Sequence, residues 1–370
     1  MALIDHILPA PVNGGFQMED WWVWCGSVIQ GEDGLYHMFA ARWPKELPFF
    51  TGYVLASEVV RAVSDTPEGY YRFEEVVLSD RGDGFWDGRM THNPTIRKVG
   101  DTYLLFYIGS TYRGMRPRAE ELKDRNMPVF NESYNNIRIG MAVSKSVYGP
   151  WVRLDKPILE PRPGNWDNTV VTNPAPCILD DGSICLYYRS NTHDGLRIGA
   201  AKASDSLSPF LRISDAPVIG FENGGHVEDP FVWWNGSCFE MIAKDMTGSI
   251  TGEKHAEIQA ISDDGLTWKL CTPPKAYSRR VQWDNGKVTV QGSLERPQLL
   301  FHEGVPTHLF AATCDGPGGF DAAAKTWNMV IPLSISKTPT SISGGGKFST
   351  SGGVESPSEA PMFSEAERVH

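Results

Sequence analysis

The sequence of 370 residues is poor in basic side chains, and it lacks long apolar runs. Its 34 lysines and arginines stand against 45 aspartates and glutamates, giving a net charge of -11. This balance argues against nucleic acid or an anionic membrane as a partner, because phosphate groups bind cationic surfaces. No apolar run reaches the length of roughly 18 residues that a membrane span needs. Residues 1–6 also lack the basic and apolar segments of a secretory signal, so we expect a cytoplasmic protein or one whose signal was removed.

Metal-binding spacings are missing as well. The six cysteines include no Cys-x-x-Cys pair, which argues against a zinc cluster, and most lie within apolar runs typical of buried thiols. Residues 263–265 read as a hairpin turn and not as a calcium loop, because the later ligands of such a loop are absent. The sequence therefore predicts neither a metal nor a cofactor.

What the sequence does contain is a hairpin repeated five times. Each copy begins with polar or acidic residues, usually followed by a proline, and continues as two apolar runs separated by a tight turn. Turns such as Asn235-Gly236 and Asp181-Gly182 supply residues that tolerate positive φ in short hairpin loops. The first apolar runs lie at residues 24–29, 91–96, 172–176, 226–234 and 294–301. Repeats spaced by roughly 55 to 80 residues predict the blades of a β-propeller.

A second repeat supports the same fold. Segments at 55–64, 137–144, 196–204 and 256–262 predict a third strand in each blade, and each is followed by a turn and a further strand. We therefore predict an all-β, five-bladed propeller with four-stranded antiparallel blades as one domain over residues 1–335.

Residues 1–20 are expected to close the ring as a strand or to cross its face. Residues 44–50 are expected to form a loop, and residues 112–136 a longer one that is either a lid or binding wall or a surface excursion. The Ser-, Gly- and Pro-rich residues 336–370 are expected to be an extended or disordered tail.

The first strand of each blade lines the axis of a propeller, so polar residues at the entry edges of these strands should converge on one pocket. Three carboxylates with amide, imidazole and cationic neighbours fit acid/base chemistry, because mutual repulsion separates the pKa values of adjacent carboxyl groups. From the first strands we select Trp24, His92, Asn93, Asn173, Glu228, Asp229, Glu295 and Arg296, and from the ends of second strands Arg189 and Lys244.

These motifs resemble those of the five-bladed propeller glycosidases, the superfamily that contains glycoside hydrolase family 43. In that family an Asp just before a proline tunes a pKa, and a Glu two residues before the next such proline is the general acid. Asp229-Pro230 and Glu295-Arg296-Pro297 match these positions in type, order and spacing. The chain departs from the family where an Asp-Pro base is expected, because Asn173-Pro174 stands there.

The resemblance implies a glycoside hydrolase that releases a terminal sugar from a plant, algal or microbial oligosaccharide. Glu295 would be the general acid, and Glu228 or Asp229 would supply the base or the pKa modulation. Glu19, Asp20 and Asp167 are further substitutes for the base. Strand alternation predicts that Glu228 and Asp229 cannot both face the pocket unless the strand is just beginning.

The other selected side chains would bind the sugar: His92, Asn93, Asn173, Arg189, Arg296, Trp24 and Lys244. The basic ones among them favour an acidic sugar over a neutral pentose. Two other classes remain open at this stage. One is a polysaccharide lyase or a phosphorylase on the same fold, with His92 as base or with Arg189 and Lys244 binding phosphate. The other is a propeller that binds sugars without catalysis, which the absent Asp base permits.

Overall fold

The computed structural model describes residues 2–122, 126–192, 195–219, 225–316 and 318–335. The predicted tail at 336–370 lies outside these ranges. The described chain is built almost entirely of antiparallel strands, and two short helices, α1 (Phe49–Ala56) and α2 (Pro128–Asn135), interrupt them. None of its helices has the length and apolar character required to cross a membrane.

Four blades have four strands each, hydrogen-bonded in chain order from the innermost to the outermost strand. Blade 1 contains β1 (Trp21–Gln30), β2 (Tyr36–Pro44), β3 (Glu58–Ser64) and β4 (Arg72–Leu78). Blade 2 contains β5 (Met90–Val99), β6 (Thr102–Ser110), β7 (Arg138–Ser144) and β8 (Val152–Arg153). Blade 3 contains β9 (Thr172–Ile178), β10 (Ile184–Thr192), β11 (Gly195–Ala203) and β12 (Leu211–Arg212). Blade 4 contains β13 (Val227–Trp234), β14 (Phe239–Asp245), β15 (Glu257–Ser262) and β16 (Lys269–Tyr277).

The fifth blade is built from both ends of the described chain. A small ribbon of β17 (Arg280–Gln282) and β18 (Val288–Val290) precedes it, and its own strands are β19 (Ser293–His302), β20 (Val305–Cys314) and β21 (Thr326–Pro332). Instead of a fourth strand, the N-terminal segment bridges the free edge of β21 through Ile7 with Leu333 and Phe16 with Asn328. The segment expected to close the ring therefore covers the outer edge of the last blade.

The innermost strands β1, β5, β9, β13 and β19 contact one another in a closed ring. Five apolar clusters fill the spaces between adjacent blades, and each contains side chains from two neighbouring sheets. Packing between sheets thus fixes the blades around the axis. The prediction of a five-bladed propeller is confirmed, and the third strands begin within three residues of their predicted starts.

A sixth apolar cluster lies under the two helices, between the connections of blades 1, 2 and 5. The sequence predicted a loop at 44–50, and that part of the prediction was wrong at its end because α1 begins at Phe49. The long connection at 112–136, of which residues 123–125 lie outside the described ranges, contains α2, whose Tyr134 lines the central cavity. This part of the connection is therefore a wall of the cavity, and its part in binding stays a prediction.

Candidate active site

The five innermost strands share a backbone irregularity at their entry edges. In each, the pairing with the second strand is interrupted by a bulge. One residue of every bulge has a left-handed backbone, with φ between 51° and 58°. These residues are Cys25, Asn93, Asn173, Asp229 and Arg296. A bulge redirects side chains at the end of a strand, so neighbouring residues can face the same space.

The five left-handed residues bond to one another around the axis, and we call them the polar collar. The Cys25 thiol donates to Asn93 Oδ1 over 2.8 Å, and Asn93 Nδ2 donates to Asn173 Oδ1 over 2.9 Å. Asn173 Nδ2 donates to Asp229 Oδ1, which also accepts from Arg296 Nη1 at 3.2 Å. The charge of Arg296 acts on the Cys25 thiol and closes the circle electrostatically. Side-chain hydrogen bonds thus join the five blades in order, from Cys25 in blade 1 to Arg296 in blade 5.

The residue before each collar position lines a cavity of about 330 Å³ at this end of the propeller. These five residues are Trp24, His92, Thr172, Glu228 and Glu295. All ten side chains selected from the sequence line this one cavity. Glu228 and Asp229 both face it, and they lie at the start of β13, which is the case that the rule of strand alternation left open; the bulge there turns both side chains towards the cavity.

Glu228 and Glu295 occupy equivalent positions in blades 4 and 5, and Lys244 joins them. Lys244 Nζ donates to Glu228 Oε1 over 2.8 Å and also contacts Glu295 Oε2. One oxygen each from Glu228, Asp229 and Glu295 lie within 4.8 Å of one another. Lys244 is 4% exposed, so this ammonium group neutralises the carboxylates away from bulk water.

The charges in the cavity shift the pKa values of Glu228 and Asp229 in opposite directions. Burial would raise the pKa of Glu228, but Lys244 and then Arg189 lower that pKa to about 2. The pKa of Asp229 is raised, by burial and by the charge of Glu228, against the opposing effect of Arg296. Glu228 is therefore ionised throughout the physiological range. Adjacent carboxyl groups with separated pKa values are the arrangement that acid/base catalysis uses.

The cationic side chains of the cavity are paired with carboxylates. Arg189 Nε lies 3.8 Å from Glu228 Oε2, and its guanidinium also contacts Asn191 and Tyr134. Arg296 is bonded to Asp229, and Lys244 to both glutamates. The positive charge of each of these side chains is thus balanced by a carboxylate of the protein itself.

His92 has neighbours on every side. Its Nδ1 lies 2.8 Å from Ser57 Oγ, its Nε2 lies 3.7 Å from Cys25 Sγ, and its ring stacks on Tyr53 at 4.7 Å. Burial, and then Arg296, lower the pKa of His92 well below its usual range, so the ring is neutral. This neutral imidazole forms part of the cavity wall.

One wall of the cavity is aromatic, and sequence reasoning found only Trp24 of it. Its other members come from the end of β2, from α1 and α2, and from the short helix Phe320–Ala322: Trp43, Phe49, Phe50, Tyr53, Tyr134 and Phe320. The concentration of aromatic residues between Trp43 and Tyr53 was the available signal. Trp24 itself packs edge-on against Phe49 at 5.0 Å.

His255 is a further lining residue that the sequence did not single out. It has a left-handed backbone, with φ of 64°, just before β15. Burial, and then Lys244, lower its pKa to about 4, so it too is neutral at pH 7. No motif marks it, because its place depends on how β15 pairs with β14.

The other candidates for the base lie elsewhere. Glu19 and Asp20 are exposed and do not line the cavity. Asp167 is fully buried in blade 3, where it accepts hydrogen bonds from Arg162, Tyr188 and Arg212. Its partners give Asp167 a structural role within the blade.

Comparisons with known proteins identify the fold. No protein-family model matches the chain, and no curated protein matches its sequence. Many solved structures do, and several are glycoside hydrolases. The chain has the five-bladed propeller fold of these enzymes.

A family 117 glycoside hydrolase from the marine bacterium Zobellia galactanivorans matches with 15% identity and a TM-score of 0.60, over 89% of each chain. An endo-arabinase from Bacteroides thetaiotaomicron matches with 14% identity and a TM-score of 0.55, over 88% of this chain and 98% of that one. A GH43 beta-xylosidase/alpha-arabinofuranosidase from a compost metagenome matches with 15% identity and a TM-score of 0.55, over 88% and 95%. Identities this low agree with the presence of Asn173 where the glycosidase pattern has an Asp.

Proposed function

We propose that the protein is a glycoside hydrolase in which Glu295 is the general acid and Glu228 its ionised partner. The observation that carries the proposal is the pair of glutamates at equivalent positions of adjacent blades, joined by Lys244 within one cavity. Glycoside hydrolysis requires two carboxyl groups in different protonation states beside the scissile bond. The fold shared with arabinanases and xylosidases agrees with this chemistry.

The cavity favours a terminal, neutral sugar. Helices α1 and α2 wall one side of the cavity, and its volume of about 330 Å³ suits one sugar ring better than a chain passing through. All three cationic side chains lie beside carboxylates, so the cavity offers a uronate no uncompensated positive charge. The sequence favoured an acidic sugar, and the pairing of these charges reverses that preference.

The contacts of His92, Arg189 and Lys244 also argue against the two alternative reactions, those of a lyase and of a phosphorylase. A lyase would use His92 as its base, but this ring is buried and packed against Tyr53. A phosphorylase would bind phosphate through Arg189 and Lys244, and both contact Glu228.

The spacing of the carboxyl groups favours retention of configuration. Oxygens of Glu228 and Glu295 lie within 4.8 Å, whereas inverting pairs are roughly 6.5–9.5 Å apart and retaining pairs about 5–5.5 Å. We therefore expect Glu228 to act as the nucleophile. Proton NMR of the sugar as it is released should show the anomer of the substrate first, and the opposite anomer would assign Glu228 as a base.

The first test is a screen of the wild type, Glu295→Gln and Glu74→Gln against aryl glycosides and plant and algal oligosaccharides. The aryl glycosides include α-L-arabinofuranosides and β-xylosides. Glu74 is exposed on β4, so its variant controls for loss of one negative charge. We expect a released monosaccharide from the wild type and from Glu74→Gln, with a loss of about 10²-fold or more for Glu295→Gln. If all three bind the same sugars and release nothing, the protein is a sugar-binding propeller and the proposal fails.

A further inference from the structure

A second and larger cavity opens at the other end of the propeller, where the five innermost strands finish. Its volume is about 620 Å³, against about 330 Å³ for the active-site cavity. Residues from the far ends of all five strands line it, at 28–30, 96–98, 176–178, 231–234 and 299–302. The second cavity thus lies around the same axis as the polar collar, at the opposite ends of the same strands.

A buried layer lies on the axis between the two cavities. Ser27 Oγ donates to Gln298 Oε1 over 3.2 Å, and Gln298 Nε2 donates to Thr95 Oγ1 over 3.5 Å. On their strands these three residues lie between the collar and the far end, and each is buried. The second cavity is therefore a site separate from the candidate active site.

The charges of the second cavity are the reverse of those at the collar end. No aspartate or glutamate is among its described lining residues, although the net charge of the chain is -11. Arg97 and Lys98 of β5 both line it, and neither forms an ion pair within the described chain. His308, which also lines it, lies 3.1 Å from Glu68 Oε1. The uncompensated positive charge of this cavity thus comes from Arg97 and Lys98.

Arg97 is held in place by groups that leave its charge unbalanced. Its Nε donates to the Pro176 carbonyl over 3.2 Å, its Nη1 donates to the Ile96 carbonyl over 2.8 Å, and its guanidinium lies 5.0 Å from the centre of the Phe231 ring. Its Nη2 donates to no described acceptor, so this amino group remains available to a ligand. Burial lowers the pKa of Arg97 to about 10, and the one described group that opposes the shift is the Cys177 thiol. The guanidinium is therefore charged at neutral pH and preorganised for a carboxylate.

Aromatic side chains form another part of the wall. Tyr36, Trp234 and Phe301 are partly exposed there, and the ring of Phe301 lies 6.3 Å from that of Trp233. The indole nitrogen of Trp234 donates to Asp180 Oδ2 over 3.0 Å, which fixes the orientation of this ring. Flat apolar faces beside a cation suit a ligand that combines a ring with an anionic group.

We propose that the second cavity binds an acidic sugar, a uronate, whose carboxylate pairs with Arg97 and whose ring packs against the aromatic wall. The uronate that the active-site cavity disfavours is thus accommodated at the opposite end of the propeller. The choice of a sugar among organic anions rests on the proposed function, whereas the preference for an anion rests on the charges of the cavity alone. The full chain would then bind two kinds of sugar, a neutral one at the catalytic end and an acidic one at the other.

Equilibrium binding of a matched pair of glycosides tests this inference. The probes are methyl glucuronide and methyl galacturonide, each compared with its neutral counterpart, methyl glucoside or methyl galactoside, by NMR titration at constant ionic strength. We expect the wild type to bind at least one uronide about tenfold or more tightly than its neutral counterpart, and Arg97→Gln to lose that advantage. The matched control is Arg138→Gln, because Arg138 also donates to two backbone carbonyls but lines neither cavity. Arg138→Gln, and Glu295→Gln in the other cavity, should bind the uronide as the wild type does.

Several outcomes would overturn the inference. Equal affinities for the acidic and neutral glycosides, or an unchanged affinity in Arg97→Gln, would show that the cavity does not bind the carboxylate. Displacement of the uronide by an equal concentration of inorganic phosphate would mean a plain anion site. A chain ending at Ile335 that binds the uronide much more tightly than the full chain would identify residues 336–370, with their own glutamates, as the occupant.

A second variant keeps the test decisive if Arg97→Gln does not fold. Lys98 is exposed, so Lys98→Glu should fold and place a negative charge in the wall of the second cavity. We expect it to weaken uronide binding about tenfold, and an unchanged affinity would overturn the proposal. Uronide binding without release of any sugar would leave this inference standing while the proposed hydrolase fails, and hydrolysis without uronide binding would do the reverse.

Discussion

Asn173 and Asp229 occupy equivalent collar positions in adjacent blades, and an amide in one faces a carboxylate in the other. Asn173 Nδ2 donates to Asp229 Oδ1, and Asn173 Oδ1 accepts from Asn93 and Thr172. The amide can do both, whereas a carboxylate can only accept. The residue that departs from the glycosidase pattern is thus the one that the collar requires to be an amide.

Replacing Asn173 with the Asp of the glycosidase pattern should therefore destabilise the protein. Asn173→Asp would place two carboxylates in contact, and we expect about 2 kcal/mol less stability and no gain in turnover. Asn285→Asp makes the same charge change at an exposed position and serves as the control. Thermal unfolding and kcat/KM on the best aryl glycoside measure both effects. Higher turnover in Asn173→Asp would instead identify position 173 as the site of the base.

Glu257 on β15 is fully buried, and it leads to a prediction about stability that does not depend on activity. Its folded-state pKa lies well above its ordinary value of 4.5, so folding favours the protonated form. The contribution of Glu257 to the free energy of unfolding is complete below about pH 4.5. It is lost as the pH rises, because Glu257 then ionises in the unfolded chain but not in the folded protein. Glu257→Gln has no such titration, so its Tm relative to wild type should rise between pH 4.5 and pH 8. A difference in Tm that stays constant over this range would show that Glu257 has an ordinary pKa.

At the level of single residues, the sequence predicted the members of the cavity better than their environments. Glu228, Asp229, Glu295 and Arg296 were found because each lies at a fixed distance before a proline that starts an apolar run. Glu257 and His255 carry no such mark. Their positions depend on the register of β15 against β14, which is set by contacts across the whole blade.

Among the elements, the strands were predictable and helix α1 was not. Hairpins are encoded locally by alternating apolar residues and by turns that need Asn or Gly. Helix α1 contains phenylalanine, threonine, glycine, tyrosine and valine, which are weak helix formers. Six of its eight residues are buried in the sixth apolar cluster. Tertiary packing, and not intrinsic helix propensity, therefore stabilises α1.

Helix α1 should affect binding of the substrate more than its conversion. Tyr53 on α1 stacks on His92 and lines the cavity, so Tyr53→Ala would remove part of the wall against which a sugar packs. We expect KM to rise roughly fivefold to tenfold, the equivalent of about 1 kcal/mol, with a smaller change in kcat. Tyr53→Phe keeps the ring and should stay near wild type. A loss confined to kcat would place Tyr53 in the chemical step.

On the scale of the whole molecule, the N-terminal segment keeps the last blade intact. Leu3, Ala10 and Phe16 of this segment are buried, the first two between blades 4 and 5 and Phe16 between blades 5 and 1. The backbone of Phe16 exchanges two hydrogen bonds of 2.9 Å with Asn328. The segment therefore supplies both apolar packing and the edge pairing that β21 lacks.

Removing residues 2–19 should destabilise the propeller strongly. Burial of Leu3 and Phe16 alone is worth about 3–6 kcal/mol, and the exposed edge of β21 would favour aggregation. Thermal unfolding, with size-exclusion chromatography for the aggregated fraction, measures the effect. A chain ending at Ile335 is the control, and we expect it to unfold like the full chain because residues 336–370 lack an apolar pattern. A truncated N-terminus with an unchanged Tm would contradict this account of blade 5.

The pairing of Phe16 with Asn328 also orders events during protein synthesis. The first segment to leave the ribosome has its partner strand more than 300 residues later, so it must wait for almost the entire chain to be translated. Blades 1 to 4 can form their own sheets before then, while blade 5 and the seams on either side of it cannot close. Until that moment no intermediate possesses the finished cavity, because Glu295 belongs to the last blade. A growing chain therefore lacks the complete cavity until the strands of blade 5 have left the ribosome.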